Sequence, residues 1–258
     1  MTRSRGYASK WEPLRRELAA WEQNHVAARL WLRDDDAVSV TPALVRLTER
    51  CAEHDVPYLI AVIPSQADTD LANYLSQQPL AEIAAHGWTH RNHGGLGCKA
   101  EFPEQRSRVE IVRDLRRARD RMEALFGSGA LPIYVPPWNR MAAEVANLLP
   151  VAGFETLSVI GRNRIAGLYG ELGQINVHLD IIDWRGSRGG RDHKELVDEL
   201  AAHLAWAREN DQSPIGILTH HLVHDERAWT FLQELFAETA HHPVVRWSRV
   251  TDLLASQV

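Results

Sequence analysis

Apolar positions along the chain repeat with a period near two in some stretches and near 3.6 in others, and the switches between them predict strands and helices. Trp11, Leu14, Leu18 and Trp21 form one helical stripe over 11–23. Residues 28–33 alternate large apolar with polar side chains and run directly into Asp34-Asp35-Asp36, so a strand ends in carboxylates. Thr41-Pro42 supplies an N-cap and a first helical residue for a helix carrying Leu44, Leu47 and Cys51. The run 58–63, almost wholly apolar and stopped by Pro64, reads as a strand buried on both faces, as in parallel sheets. A helix over 69–77 follows, and the apolar run 83–85 delivers His86. Beyond an irregular stretch at 94–103 come a long arginine-rich helix over 105–125, a strand at 133–135 broken by Pro136-Pro137, and a helix over 141–149. Extended runs at 156–160 and 175–182, a helix over 194–209, a buried strand at 215–218, a helix over 228–240 and a short edge at 244–247 complete the chain.

Seven or eight strands alternating with helices predict an α/β protein with a parallel sheet covered by helices. The pattern alone does not separate a closed barrel from an open sheet. Polar residues recur at or just after strand C-termini: Asp34 to Asp36, His86 to His93, Pro136 to Arg140, Asp183-Trp184 and His220-His221. In barrels that end carries the active site.

Composition narrows the partners. The 258 residues, 45% hydrophobic, are read as a single domain spanning 1–258, with 1–27 as a helical extension packed on it. A formal charge of −5 offers no basic field for phosphate backbones, so nucleic acid is not expected. Cys51 and Cys98 lie outside any CxxC spacing, and no secretory h-region or long apolar run stands out. The expectation is a cytoplasmic protein without membrane contact.

His86 and His90 stand at i and i+4, one face of a helix or a strand. Gly87 occupies the position where zincins place their glutamate, so a general base must come from elsewhere. Such a cluster is also compatible with a surface patch, and the acidic triplet with a solvated turn capping the next helix. Their joint placement at strand ends favours a divalent ion, because two histidines and one aspartate leave coordination open for water and substrate.

Taken together and in order, these stretches resemble the NodB-homology polysaccharide deacetylase superfamily. Arg33-Asp34-Asp35-Asp36-Ala37 matches its first motif, His86-Gly87-Trp88-Thr89-His90 its second, Val135-Pro136-Pro137-Trp138 its third, Asp183-Trp184 its fourth and Leu218-Thr219-His220 its fifth. The resemblance implies a distorted seven-stranded (β/α) barrel and a metal-dependent hydrolase that removes an acetyl group from an amide nitrogen of a small-molecule or oligosaccharide substrate, as in an N-acetylated sugar. It implies Asp36, His86 and His90 as ligands of the ion, usually zinc, with Asp35 as general base, His220 as general acid and Asp183 orienting that acid. Asp35-Asp36 is taken as the pair because Asp36 precedes the small Ala37. Trp88, Trp138 and Trp184 are expected to wall the substrate, with Pro137, Asn139 and Leu218 completing its seat. Two positions depart from the pattern: Gly87 replaces a hydroxyl residue, and Val135 stands where an arginine usually pairs with the base, leaving Arg33, Arg140 or Arg185 to substitute. That gap lends some weight to a ring-opening cyclic amidohydrolase of the same superfamily; a catalytically silent carbohydrate-binding domain is the other alternative.

Overall fold

The computed structural model describes residues 9–95, 97–170 and 172–256, so positions 1–8 of the expected extension lie outside the described residues. In chain order the elements are α1 (Glu12–Gln23), β1 (Ala28–Ala37), α2 (Pro42–Glu53), β2 (Tyr58–Val62), α3 (Thr69–Ser76), β3 (Ala81–His86), α4 (Arg108–Phe126), β4 (Ala130–Val135), α5 (Ala143–Ala146), β5 (Thr156–Leu157), β6 (Gly173–Gln174), β7 (Val177–Asp180), α6 (His193–Glu209), β8 (Ile215–Thr219), α7 (Glu226–Thr239), β9 (Val245–Trp247) and α8 (Val250–Ala255). The caps act as their sequences dictate: the Thr41 hydroxyl accepts from the Leu44 N–H, and Asp68, Asp192 and Asp225 cap α3, α6 and α7.

All strand pairs are parallel, in the order β6-β5-β4-β3-β2-β1-β8-β7, with β9 beside the start of β1. The sheet curls until the chain just past β5 meets β7 through one parallel bridge, Ile160 to Val177. This closes a distorted seven-stranded barrel of β1 to β5, β7 and β8, which answers the question that periodicity left open. Leu30, Leu32, Ile60 and Tyr134 point outward into the main core beneath the helices. Trp31, Leu59, Ala84, Ile133 and Leu218 point inward and fill the barrel. Room for the Trp31 indole comes from Gly216 on the neighbouring strand, where a Cβ would stand 2.6 Å from that ring.

The floor of the barrel is closed by α8, whose Val250 and Leu253 join the interior cluster. Buried Glu82 at the start of β3 caps it, accepting from the Val250 N–H at 2.6 Å and the Thr251 N–H at 3.0 Å. Neither α8 nor β6 is predicted by periodicity, both being too short to show one. The helix expected over 141–149 shrinks to the single turn of α5, because Asn147 ties its side chain to the backbone of Gly167 and Tyr169 and Pro150 has no N–H with which to continue. Packing of α1 against the barrel helices runs through Trp11, stacked on Phe231 of α7, and Glu17, paired with Arg208 of α6. Among the described residues no helix is long and apolar enough to cross a membrane.

Candidate active site

Strand β1 does not stop at Arg33 but continues through all three aspartates, and each meets a different environment. Period-two alternation sends Arg33 and Asp35 into the barrel and Asp34 out of it. Asp34 is fully buried and accepts from the Thr219 hydroxyl at 2.5 Å, the His221 N–H at 2.9 Å and His221 Nδ1 at 2.5 Å. Burial works to raise its carboxyl, but the charge and hydrogen bond of His221 outweigh that and hold it below the usual range. Alternation would send Asp36 outward too. Instead the register with β2 slips between Asp34 and Ala37, and Asp36 takes a left-handed φ of +76°, which turns its side chain back over the barrel mouth. The triplet is therefore neither a solvated turn nor a helix cap.

Arg33, wholly buried, grips Asp35 with Nε at 2.9 Å from Oδ1 and Nη2 at 3.0 Å from Oδ2. It also donates to the Ser158 carbonyl and hydroxyl and, at 2.5 Å, to Asn139 Oδ1. The arginine that Val135 lacks is thus supplied by β1 itself; Arg140 and Arg185 are exposed at the surface. Asn139, expected against substrate, holds Arg33.

His86 ends β3. Its Nδ1 lies 3.1 Å from the Val135 carbonyl, so that nitrogen carries the proton and Nε2 is left facing Asp36. Both His86 Nε2 and His90 Nε2 stand 3.2 Å from Asp36 Oδ1, and the three ligand atoms all fall within 4.8 Å of one another. Ligand edges of 3.2 Å suit a tetrahedral ion, since bonds of about 2.0 to 2.1 Å give edges near 3.3 Å. Asp36 Oδ1 is shielded from solvent and has no hydrogen-bond partner, a gap that a cation would fill. The residues present therefore fit a divalent ion. Burial acts to raise the Asp36 carboxyl, yet the close approach of His86 and the charges of His86, His220 and His90 carry it well below the ordinary carboxylate range. Burial and the neighbouring His86 push His90 down, whereas His86, which burial also lowers, is raised on balance by the charges of Asp35 and Asp36.

The loop between the two histidines is fixed by a residue that sequence reasoning missed. Buried Glu101 accepts from the Trp88 N–H, the Thr89 N–H and the Thr89 hydroxyl at 3.0, 2.6 and 2.8 Å. Gly87, with φ of +66°, is required there: a Cβ would stand 2.0 Å from Glu101 Oε2 and 2.6 Å from the Pro137 ring. This explains the missing hydroxyl residue and gives Pro137 a packing role under the loop. His93 stands exposed outside the ligand cluster.

On the opposite side His220 follows β8, its Nε2 3.9 Å from Asp35 Oδ2 and its ring edge-on to Trp184 at 4.7 Å. Asp183 does not orient it. Both Asp183 oxygens accept N–H groups of its own loop, from Gly186 and Ser187. The acid that braces this side is Asp180, which accepts from the Trp184 indole at 2.8 Å and whose carboxyl is pushed up by burial. Trp138 packs on His90 at 4.6 Å, so Trp138 and Trp184 flank the mouth. Trp88 is half-buried, packing on the main core with one side and lining a cavity beside the His86 to His90 loop with the other, whereas Leu218 is sealed inside the barrel, which corrects the expectation that Leu218 touches substrate. Four of the non-glycine residues with positive φ, Asp36, His90, Trp138 and Asn139, cluster here, as strained backbone does at functional sites.

The family model for polysaccharide deacetylase matches residues 29–157. No curated protein sequence matches the chain. Among solved structures, a Mycobacterium smegmatis protein assigned provisionally as a polysaccharide deacetylase superposes with a TM-score of 0.65 at 17% identity, covering 90% of this chain and 92% of that one. A family 4 acetyl xylan esterase from Clostridium thermocellum, in complex with a cobalt ion, gives 0.56 at 14% identity over 89% and 91%. A family 4 pseudoenzyme from Bacillus anthracis gives 0.56 at 17% identity over 88% and 66%. At these identities the likeness is one of fold.

Proposed function

This chain belongs to the polysaccharide deacetylase family, and from that premise we propose that it is a metal-dependent hydrolase removing an acetyl group from the amide nitrogen of an N-acetylated sugar or sugar conjugate. The observation that carries this reading is the convergence of Asp36, His86 and His90 on one point, with an arginine-held Asp35 and His220 beside it.

In this reading Asp36, His86 and His90 would hold the ion, with zinc the first candidate to test. When bound it supplies Lewis acidity towards the amide carbonyl and acidifies a water nucleophile. Asp35 would accept a proton from the attacking water, and the contacts from Arg33 keep its carboxylate aimed across the barrel mouth. His220 delivers a proton to the departing nitrogen, which cannot leave as an amide anion. Trp138 and Trp184 exclude water on either side of the scissile bond and give a sugar ring apolar faces to lie between. The Trp138 N–H, the first backbone donor after two prolines, is the candidate partner of the developing oxyanion. Ring-opening of a cyclic amide drew its support from an unpaired base, and with Arg33 bound to Asp35 that support is gone.

Purified protein titrated with zinc and assayed for acetate release from N-acetylglucosamine oligomers tests the proposal. Asp35→Asn is expected to keep the metal and lose about a thousandfold in turnover, and His90→Ala to lose the metal. Full turnover by Asp35→Asn, or unaltered zinc affinity in His90→Ala, would overturn it; glycan binding with no turnover by the zinc-loaded parent would instead select a silent binding domain.

A further inference from the structure

The helix face beside the active-site mouth carries charge that the reaction above does not use. The whole chain is acidic, at −5, yet positions 106–121 hold seven arginines against three carboxylates. Three of these arginines converge on one acceptor: Arg106 Nη2 lies 2.5 Å, Arg113 Nε 3.3 Å and Arg117 Nη1 3.4 Å from the nearly buried carboxylate of Asp114. They line a cavity of about 430 Å³ whose far wall is formed by Trp88 and Thr89, from the loop between His86 and His90, and by the exposed Arg91 just beyond it.

That wall is rigid. Ser65 N–H donates to the Trp88 carbonyl and Gln66 Nε2 to the Thr89 carbonyl, while Glu101 holds the same residues from the other side. Thr89 directly precedes His90, so the cavity begins one residue from a candidate metal ligand. One carboxylate offsets one of the three guanidinium charges. Arg113 and Arg117, each about half exposed, give one N–H apiece to Asp114, and their remaining donors find no protein partner among the described residues. The Arg91 side chain finds none either. Like charges on long, free side chains disperse unless an anion gathers them, and a bowl of guanidinium donors suits a group with several acceptor oxygens.

We propose that this bowl is a subsite for an anionic group, a carboxylate or a phosphate ester, carried by the acetylated substrate next to the sugar that is deacetylated. Delivery of the anion by a substrate rests on the deacetylase reading; the binding of the anion does not. Asp114 sets the floor and Arg106 stays locked to it, so Arg113, Arg117 and Arg91 are the arms that reach the ligand.

Calorimetry with N-acetylglucosamine, N-acetylglucosamine 6-phosphate and N-acetylmuramic acid, at low and high salt, decides the matter. At least one anionic sugar is expected to bind about tenfold more tightly than the neutral one. The advantage is expected to shrink with salt and to vanish in R113Q/R117Q, which leaves the Arg106–Asp114 pair intact. R91Q, on an exposed loop, gives a second variant with a smaller loss in the same direction. A preference for the phosphate sugar alone or the carboxylate sugar alone supports the subsite and names the source of the anion. Failure of both to bind better than the neutral sugar, or a preference that survives in R113Q/R117Q, overturns it. Acetate release separates the two claims: selective binding without hydrolysis of any sugar leaves the subsite standing and sinks the deacetylase reading, whereas hydrolysis without anionic preference does the reverse.

Discussion

Asp34, Asp35 and Asp36 are chemically identical neighbours that the fold separates into a buried strut, a carboxylate held by Arg33 and a carboxylate turned over the barrel mouth. The strut has a pH signature of its own, shared with two histidines. His221 is pushed down by burial but raised on balance by the charge and hydrogen bond of Asp34, so its contribution is fully present below about pH 6.5 and is lost as pH rises through its raised folded value. Asp34, depressed on balance, contributes fully above about pH 3.8 and loses that contribution as pH falls through its lowered value. His224, close by, works against them. Burial, with the charges of His221 and His220, pushes it down to about 4, and both its ring nitrogens are shielded without a partner. Between pH 6.5 and about 4 the unfolded chain therefore binds a proton at this position that the folded chain refuses, and stability falls as pH falls. His224→Phe is expected to remove about 2 kcal/mol of the stability lost between pH 7 and pH 5, read from urea unfolding at the two pH values. Equal losses in parent and variant would show that His224 does not titrate in this window. Of these three aspartates, sequence alone exposed the cluster and its place at a strand end. The strand bulge and the positive φ that turn Asp36 inward leave no trace in residue type, and only the family resemblance indicated the register.

At the scale of the element, the His86 to His90 loop shows how a glycine and a distant carboxylate set a histidine's position. Gly87→Ala places a methyl group where Glu101 and Pro137 already stand, at a φ that L-residues resist. The loop must shift, and zinc affinity is expected to fall about 10- to 100-fold, measured by competition with a chromophoric chelator. Unchanged affinity would mean that the loop is not held by Glu101 as described. Most elements were legible because periodicity and end signals agree: Thr41-Pro42 starts α2 and Pro64 follows soon after β2. What escaped was short or irregular. Glu101 lies in a glycine-rich stretch without periodicity, α8 has six residues, and the apolar spacing over 141–149 suggests a longer helix than forms because Val145, Ala146 and Leu149 reach the core although Asn147 bonds the Gly167 and Tyr169 backbone instead of continuing the helix.

Across the whole molecule the barrel is unevenly closed. From β8 through β1, β2 and β3 to β4 every neighbouring pair shares a ladder, slipped once in β1–β2 and once in β3–β4, whereas β5 meets β7 through the Ile160 to Val177 bridge and its flanking hydrogen bonds. Amides of this seam, Gly161 and Val177, are expected to exchange with solvent hydrogen well before those of Leu32 and Ile60, as local opening follows local bonding. Hydrogen exchange followed by mass spectrometry checks it, and uniform protection around the barrel would refute it. The carboxylates and histidines of the site hang from β1, β3 and β8, inside the well-laddered arc. The barrel is thus divided like a hinge and its leaf. Chain length can be added between 161 and 170 at little thermodynamic expense, since loop closure penalties grow only slowly with length. A lineage built on this fold can accordingly reshape one flank of the barrel mouth by trading loops, while the carboxylates and histidines on the other flank stay where they are.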